Sequence, residues 1–131
     1  MKRIFLIDDD ADDRFIFRTA LEMLDPKTEY VEAKDGQEAL DLISNADFTP
    51  PDLIFVDLNM PRVNGLEFVI RIRQSPKYKE IPTYMYTTSA SPNERVNAIT
   101  AGANGYIIKH IRYNDLAKEL SDLISATEAS T

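Results

Sequence analysis

The sequence predicts an α/β fold, an open doubly wound five-stranded parallel sheet flanked by five helices, from two observations. Five short apolar runs, at 4–7, 30–33, 53–56, 83–87 and 106–108, alternate with five stretches of helical period. Most of the runs lack period-two alternation, as expected of strands covered on both faces of a parallel sheet. The long gaps between them suit the right-handed crossovers that join parallel strands.

The elements follow in order. The first run, "IFLI", is continuously apolar and ends at Asp8, Asp9 and Asp10. Asp10 is placed to cap the next helix, with Asp12 and Asp13 in its first turn, where carboxylates favour the helix dipole. In that helix Ile16, Ala20 and Met23 recur at i, i+4, i+7, as do Phe17, Leu21 and Leu24. "TEYVEA" alternates and carries charge, which suits an edge strand. Ala39, Leu40 and Ile43 stripe the second helix, and Leu66, Val69 and Ile70 the third. "SPNE" starts the fourth, with Ser91 as cap, Pro92 in the first helical position and Glu94 completing a capping box. Gly102 is a natural stop. Leu116, Leu120 and Leu123 stripe the last helix, and the final five residues read as a short disordered tail. The expectation is one domain over 1–131, its core at about 3–125.

Composition excludes several functions. There is no cysteine, so disulfides, iron–sulfur clusters and thiol catalysis are out. A net charge of −7 argues against a nucleic-acid partner, which requires a basic patch. No apolar run approaches the roughly 18 residues of a membrane span, and "MKRIFLIDDD" turns acidic too soon for a signal peptide. The chain reads as cytoplasmic.

In open α/β sheets the functional crevice lies beyond the carboxyl ends of the strands. That rule selects Asp8, Asp9 and Asp10 after the first strand, Asp57 after the third, Thr87 and Thr88 after the fourth, and Lys109 after the fifth. Two carboxylates 4 Å apart repel by roughly 4 kcal/mol at an effective dielectric of 20. Converging carboxylates therefore call for protons or a divalent cation. Mg²⁺ suits better than Zn²⁺, because cysteine is absent and His110 is the only histidine. It also suits better than Ca²⁺, which takes six to eight oxygens. A carboxylate nucleophile, a cation, a hydroxyl and an ammonium are the parts of phosphoryl transfer. Asp57, alone on its strand, is the candidate nucleophile, with Asp8 and Asp9 left to hold the metal.

"FLIDDDADD", "LIFVDLNMPRVNG", "YMYTTSA" and "GYIIK", in this order and spacing, resemble the response-regulator receiver domain of two-component signalling, over about residues 3–124. The resemblance implies the flavodoxin-like strand order 2-1-3-4-5. It makes Asp57 the phosphoacceptor, and Asp8 and Asp9 the acidic pair at Mg²⁺, with Asp57 itself and the backbone carbonyl of Asn59 as further ligands. Thr87 matches the hydroxyl that reaches a phosphoryl oxygen, Lys109 the lysine that pairs with the phosphate, and Tyr106 the aromatic whose rotamer tracks phosphorylation. Pro61 and Gly65 match the turn after the acceptor.

The implied function is a phosphorelay switch rather than an enzyme. It is loaded by a histidine kinase or histidine phosphotransfer protein and read by a downstream protein at the surface of the fourth helix, fifth strand and fifth helix. "DLNMPRVNGLEF" is similar to small receivers that serve phytochrome-type or hybrid kinases.

The Asp8-x-Asp10 spacing would also suit a phosphatase of the haloacid-dehalogenase type, but it leaves Asp57 idle. A flavodoxin would need a phosphate cradle where the three aspartates stand. The chain departs from the resembled family at His110, where proline is usual. A cis bond before a non-proline residue costs about 2.5–4 kcal/mol, against about 0.5–1 before proline. The sequence therefore predicts a trans Lys109–His110 bond and a Lys109 aimed less firmly.

Overall fold

A computed structural model describes residues 2–109 and 112–129. His110 and Ile111 lie outside it, and so does the Lys109–His110 peptide bond. The chain runs β1 (Arg3–Ile7), α1 (Ala11–Leu24), β2 (Glu29–Ala33), α2 (Gly36–Ser44), β3 (Leu53–Val56), α3 (Gly65–Arg73), β4 (Thr83–Thr87), α4 (Pro92–Ala101), β5 (Gly105–Ile108) and α5 (Tyr113–Ala129). The five strands form one parallel sheet in the order β2-β1-β3-β4-β5. This is the expected flavodoxin-like order. The alternating, charged β2 is an edge strand, as predicted.

Because successive strand residues point to opposite faces, each central strand supplies two cores. Ile4, Leu6, Leu53, Phe55 and Tyr86 meet α1 and α5 through Phe17, Ala20, Leu21, Leu116 and Leu120. Phe5, Ile7, Ile54, Val56 and Met85 meet the other helices through Ala39, Phe68, Val69, Ile72 and Ala98. Full burial of one such large side chain stabilises by about 1.5–3 kcal/mol. The sheet is thereby clamped from both sides, and its carboxyl edge becomes a fixed platform.

Helix starts obey local chemistry. Asp10 accepts hydrogen bonds from the amides of Asp12 and Asp13, Asp35 from Glu38, Asn64 from Glu67, and Ser91 from Glu94. Glu94 Oε2 is buried without a hydrogen-bond partner, so this oxygen does not supply the return bond of the predicted capping box. Gly102, at φ 118°, ends α4 in the left-handed region where a side chain would be strained.

Four expectations are corrected. Met23 is 55% exposed, Leu24 37% exposed and Ile70 44% exposed. On α3 the inward stripe is Gly65, Phe68, Val69 and Ile72, and Ile70 stands about 100° around the helix from Val69. Met23 and Leu24 belong to the last turn of α1, beyond the sheet residues that bury Phe17, Ala20 and Leu21. Finally, α5 continues through Thr127 to Ala129, where the sequence predicts a tail. No helix among the described residues is long and apolar enough to cross a membrane.

Candidate functional site

The crevice begins where β1 stops. The Asp8 amide donates to the Ala33 carbonyl at 3.1 Å, and its own carbonyl accepts Arg14 Nη1 at 2.8 Å. Arg14 also pairs with Glu32 of β2, so the first turn of α1 is tied to the sheet edge. The Asp8 side chain is fully buried, and Oδ1 accepts the Asp10 amide at 3.0 Å. Asp9, next in the chain, is exposed. On the adjacent β3, the Asp57 amide donates to Ile7 O at 2.8 Å, which sets Asp57 beside the end of β1. Its residue is 6% exposed. Asp57 Oδ1 accepts the Asn59 amide at 3.4 Å. One carboxylate oxygen from each of Asp8, Asp9 and Asp57 lies within 4.8 Å of the others.

The loop after Asp57 folds back closely. Gly65 donates its amide to Leu58 O at 3.0 Å, and a Cβ on Gly65 would stand 2.5 Å from the Asp57 carbonyl oxygen. Only glycine fits that approach. Within the same loop Arg62 takes φ 65°, in the left-handed region.

Lys109 leaves β5 with its amide bonded to Thr87 O at 2.8 Å. Its ammonium reaches across the sheet edge, 5.3 Å from the Tyr86 ring centroid, to three carboxylates. Nζ is 2.8 Å from Asp8 Oδ2, 2.9 Å from Asp13 Oδ2 and 3.5 Å from Asp57 Oδ2. With its side chain only 8% exposed, Lys109 is firmly seated, contrary to the sequence expectation. The hold comes from charge pairing on α1, β1 and β3, whatever path the chain takes after it.

The electrostatics follow from burial. Burial raises the Asp8 carboxyl above its ordinary range, against the pull of Lys109. Burial likewise pushes Asp57 up to about 7; the charges of Asp8 and Asp9 add to this, while Lys109 and the Asn59 amide oppose it. For Lys109, burial disfavours the charge, but the carboxylates of Asp8, Asp13 and Asp57 together outweigh it and raise the pKa. One ammonium thus serves three carboxylates, and the cluster remains short of positive charge.

Thr87 closes β4, fully buried, and its Oγ1 accepts the Ser89 amide at 3.3 Å. Tyr106, on the neighbouring β5, is 8% exposed; its hydroxyl donates to Ser89 O at 2.9 Å, and Arg95 lies 5.8 Å from its ring centroid. The structure therefore brings Asp8, Asp9, Asp57 and Lys109 into contact range, with Asn59 bonded to Asp57 and Thr87 one strand away. The Tyr106 hydroxyl reaches the 88–89 turn that follows Thr87. Asp10 serves as the α1 cap, not as a partner of Asp8 in the phosphatase sense. Sequence reasoning missed Asp13. Among the acidic residues after β1 its type says nothing, and its partner lies 96 residues away.

The response regulator receiver domain profile matches residues 4–121. The chain belongs to the receiver-domain family. A chemotaxis protein CheY homolog of Campylobacter jejuni is 33% identical over 122 residues, 93% of this chain and 92% of that protein. Among solved structures, the phosphorylated cyanobacterial phytochrome response regulator RcpA superposes with a TM-score of 0.88 at 28% identity, over 99% of this chain and 96% of that one. The Mn(2+)-bound form of response regulator Rcp1 superposes at 0.82 with 27% identity, over 95% and 93%. This receiver domain thus shares fold and family with two-component signalling proteins, and is a signalling domain.

Proposed function

We propose that this receiver domain accepts a phosphoryl group from a phosphohistidine on a carboxylate oxygen of Asp57. The observation that carries the reading is the setting of that residue. It is buried at a strand end, 3.5 Å from the Lys109 ammonium, with a carboxylate oxygen within 4.8 Å of those of Asp8 and Asp9. In the transfer an Asp57 oxygen forms a bond to phosphorus as the phosphorus–nitrogen bond breaks, and the electron pair returns to the donor imidazole. Lys109 places positive charge beside the transferring group, and Thr87, at the end of β4, offers a hydroxyl to a phosphoryl oxygen.

The donor set fits a hard divalent cation. Three carboxylates converge with one ammonium among them, and burial lifts Asp57 to about 7, with the charges of Asp8 and Asp9 adding to the rise. Asp8, Asp9, Asp57 and the Asn59 backbone carbonyl would hold Mg²⁺. When bound it supplies charge neutralisation for the carboxylates and the phosphoryl oxygens. The Mn(2+)-bound relative supports this choice of ion class.

Receiver domains interact with histidine kinases and with downstream targets. For this chain the donor is a histidine kinase or histidine phosphotransfer protein, and the phytochrome response regulator among its neighbours supports a phytochrome-type kinase. The output is phosphorylation-dependent protein binding, with Tyr106 coupling the crevice to the exposed Val96, Ile99, Ile108 and Tyr113 of α4, β5 and α5. The domain acts in the cytoplasm, with neither nucleic acid nor membrane as partner, and supports only its own phosphorylation and dephosphorylation.

Intact-mass measurement after acetyl phosphate and Mg²⁺ tests the assignment. Wild type gains one phosphoryl group and Asp57→Asn gains none. Undiminished labelling of Asp57→Asn moves the acceptor elsewhere.

A further inference from the structure

Asp13 occupies the third position of α1, where an acidic side chain ordinarily turns back toward the helix start. Here its carboxylate instead reaches the first residue of the β5–α5 connection, with Oδ2 2.9 Å from Lys109 Nζ. That contact is as short as the one to Asp8, at 2.8 Å, and shorter than the one to Asp57, at 3.5 Å. The two carboxylates differ in what else they face. Asp8 belongs to the group whose oxygens converge within 4.8 Å and could hold a cation; Asp13 does not.

A divalent cation in that group claims the Asp8 carboxylate and repels the ammonium with two charges where Asp8 attracts it with one. Lys109 then needs an anchor outside the cation's ligand set. Asp13 is the carboxylate in that position. It is 29% exposed, so one side stays hydrated while the other reaches an ammonium that is nearly buried. Its backbone is fixed by the Asp10 cap, to which its amide donates at 3.1 Å, and by the neighbouring Arg14, which is tied to Asp8 O and Glu32.

The geometry points to Asp13 as a positioning residue that keeps Lys109 in the crevice once a cation has taken Asp8, so that cation and ammonium face the same phosphoryl group together. The inference rests on the phosphoacceptor reading of Asp57. Asp13 acts through Lys109 and touches no reacting atom. Loss of such an orienting carboxylate typically costs about 10–100-fold in affinity or activity.

The direct test is the side-chain ammonium signal of Lys109 in a ¹H–¹⁵N NMR spectrum, which is visible only while ion pairing protects the protons from exchange. With saturating Mg²⁺, wild type retains the signal and Asp13→Asn loses it, while Asp12→Asn, which removes a charge one residue away, retains it. Phosphorylation by acetyl phosphate falls roughly tenfold in Asp13→Asn. In a Lys109→Met background the further change Asp13→Asn has no effect. Persistence of the Lys109 signal in Mg²⁺-loaded Asp13→Asn overturns the proposal, and so does an equal loss of rate in the Lys109→Met background. If wild type itself takes up no phosphoryl group, the phosphoacceptor reading falls, and the Lys109 signal still decides what Asp13 does.

Discussion

Two corners of one sheet edge are built to opposite specifications. Around the β1–β3 corner, the backbones of Asp8, Asp57 and Lys109 are each fixed by a hydrogen bond to a neighbouring strand. Asp8 is held by Ala33 and Arg14, Asp57 by Ile7, and Lys109 by Thr87 and three carboxylates. At the β4–α4 corner, α4 buries only Ala98, and leaves Val96 61% and Ile99 48% exposed. One side-chain hydrogen bond, from the Tyr106 hydroxyl to Ser89 O, joins the turn before α4 to β5. The far end of α4 is pinned by Arg73, which donates to Gly102 O at 2.9 Å, to Ile81 O at 2.9 Å and to Asn104 Oδ1 at 2.7 Å. The difference teaches a division of labour: chemistry needs groups that cannot drift, whereas a switch needs an element with one tethered end and one free end.

The largest expected effect concerns the charge stored in the rigid corner. Asp57 is raised to about 7 from an ordinary value near 3.8, so the folded protein binds its proton more tightly than the unfolded chain does. This group therefore adds no penalty below pH 4, destabilises progressively as pH rises toward 7, and levels off above about pH 8. At about 1.4 kcal/mol per unit the full penalty is on the order of 4 kcal/mol. Asp57→Asn, which mimics the neutral form, should stabilise the metal-free protein by that order at pH 8 and by clearly less at pH 5. Urea unfolding of both proteins at the two pH values checks it. An advantage that shrinks from pH 5 to pH 8 would have the wrong sign and would remove stored charge from the account of this corner.

Gly65→Ala breaks the same corner by shape. The new Cβ would meet the Asp57 carbonyl oxygen at 2.5 Å and Leu58 Cα at 2.9 Å, both backbone atoms that cannot step aside. Alanine gains up to about 1 kcal/mol of helix propensity over glycine, but overpacking of this kind costs about 1–3 kcal/mol. The net expectation is a lower unfolding midpoint together with slower labelling of Asp57, since the displaced strand end carries the acceptor. A wild-type midpoint and rate would show that this corner yields as readily as α4.

The same contrast decides how much could be read from the sequence. The parallel sheet and its crevice were legible because continuous apolar runs ending in Asp8, Asp57 and Lys109 state both; the strand order came only from the resemblance to receiver domains. Asp9 and Thr87 were legible by position alone. Asp13 was not, because in the first turn of a helix a carboxylate already has a sufficient explanation in the helix dipole. Its pairing depends on how far β5 carries Lys109 across the edge. Met23, Leu24 and Ile70 failed for a different reason. Periodicity marks which residues could face inward, but the boundary of the covered stripe is set by where the sheet ends and by a rotation of one residue. The firmness of Lys109 was not legible either, since His110 concerns the chain after the lysine while the hold comes from Asp8, Asp13 and Asp57.

Tyr106→Phe should give the smallest effect and the sharpest view of the loose corner. It removes only the hydroxyl that donates to Ser89 O at 2.9 Å. Ser89 is half-buried, so its carbonyl can turn to water. The loss should therefore stay near the value of one ordinary hydrogen bond, about 0.5–1.5 kcal/mol. The ring remains to fill its place beside Arg95, so packing is preserved. The consequence should be local: amide exchange quickens at 88–94, where the free end of α4 begins, while the Arg73-pinned end at Gly102 and the Asp8 and Asp57 amides keep their protection. Native-state hydrogen exchange reads these segments separately. If protection were lost equally at Asp8 and Asp57, the two corners would form one cooperative unit, and the tethered-end, free-end reading of α4 would fail. If exchange at 88–94 stayed at its wild-type rate, the Tyr106 hydroxyl would not restrain this turn, and the coupling assigned to it would have to run through the ring alone.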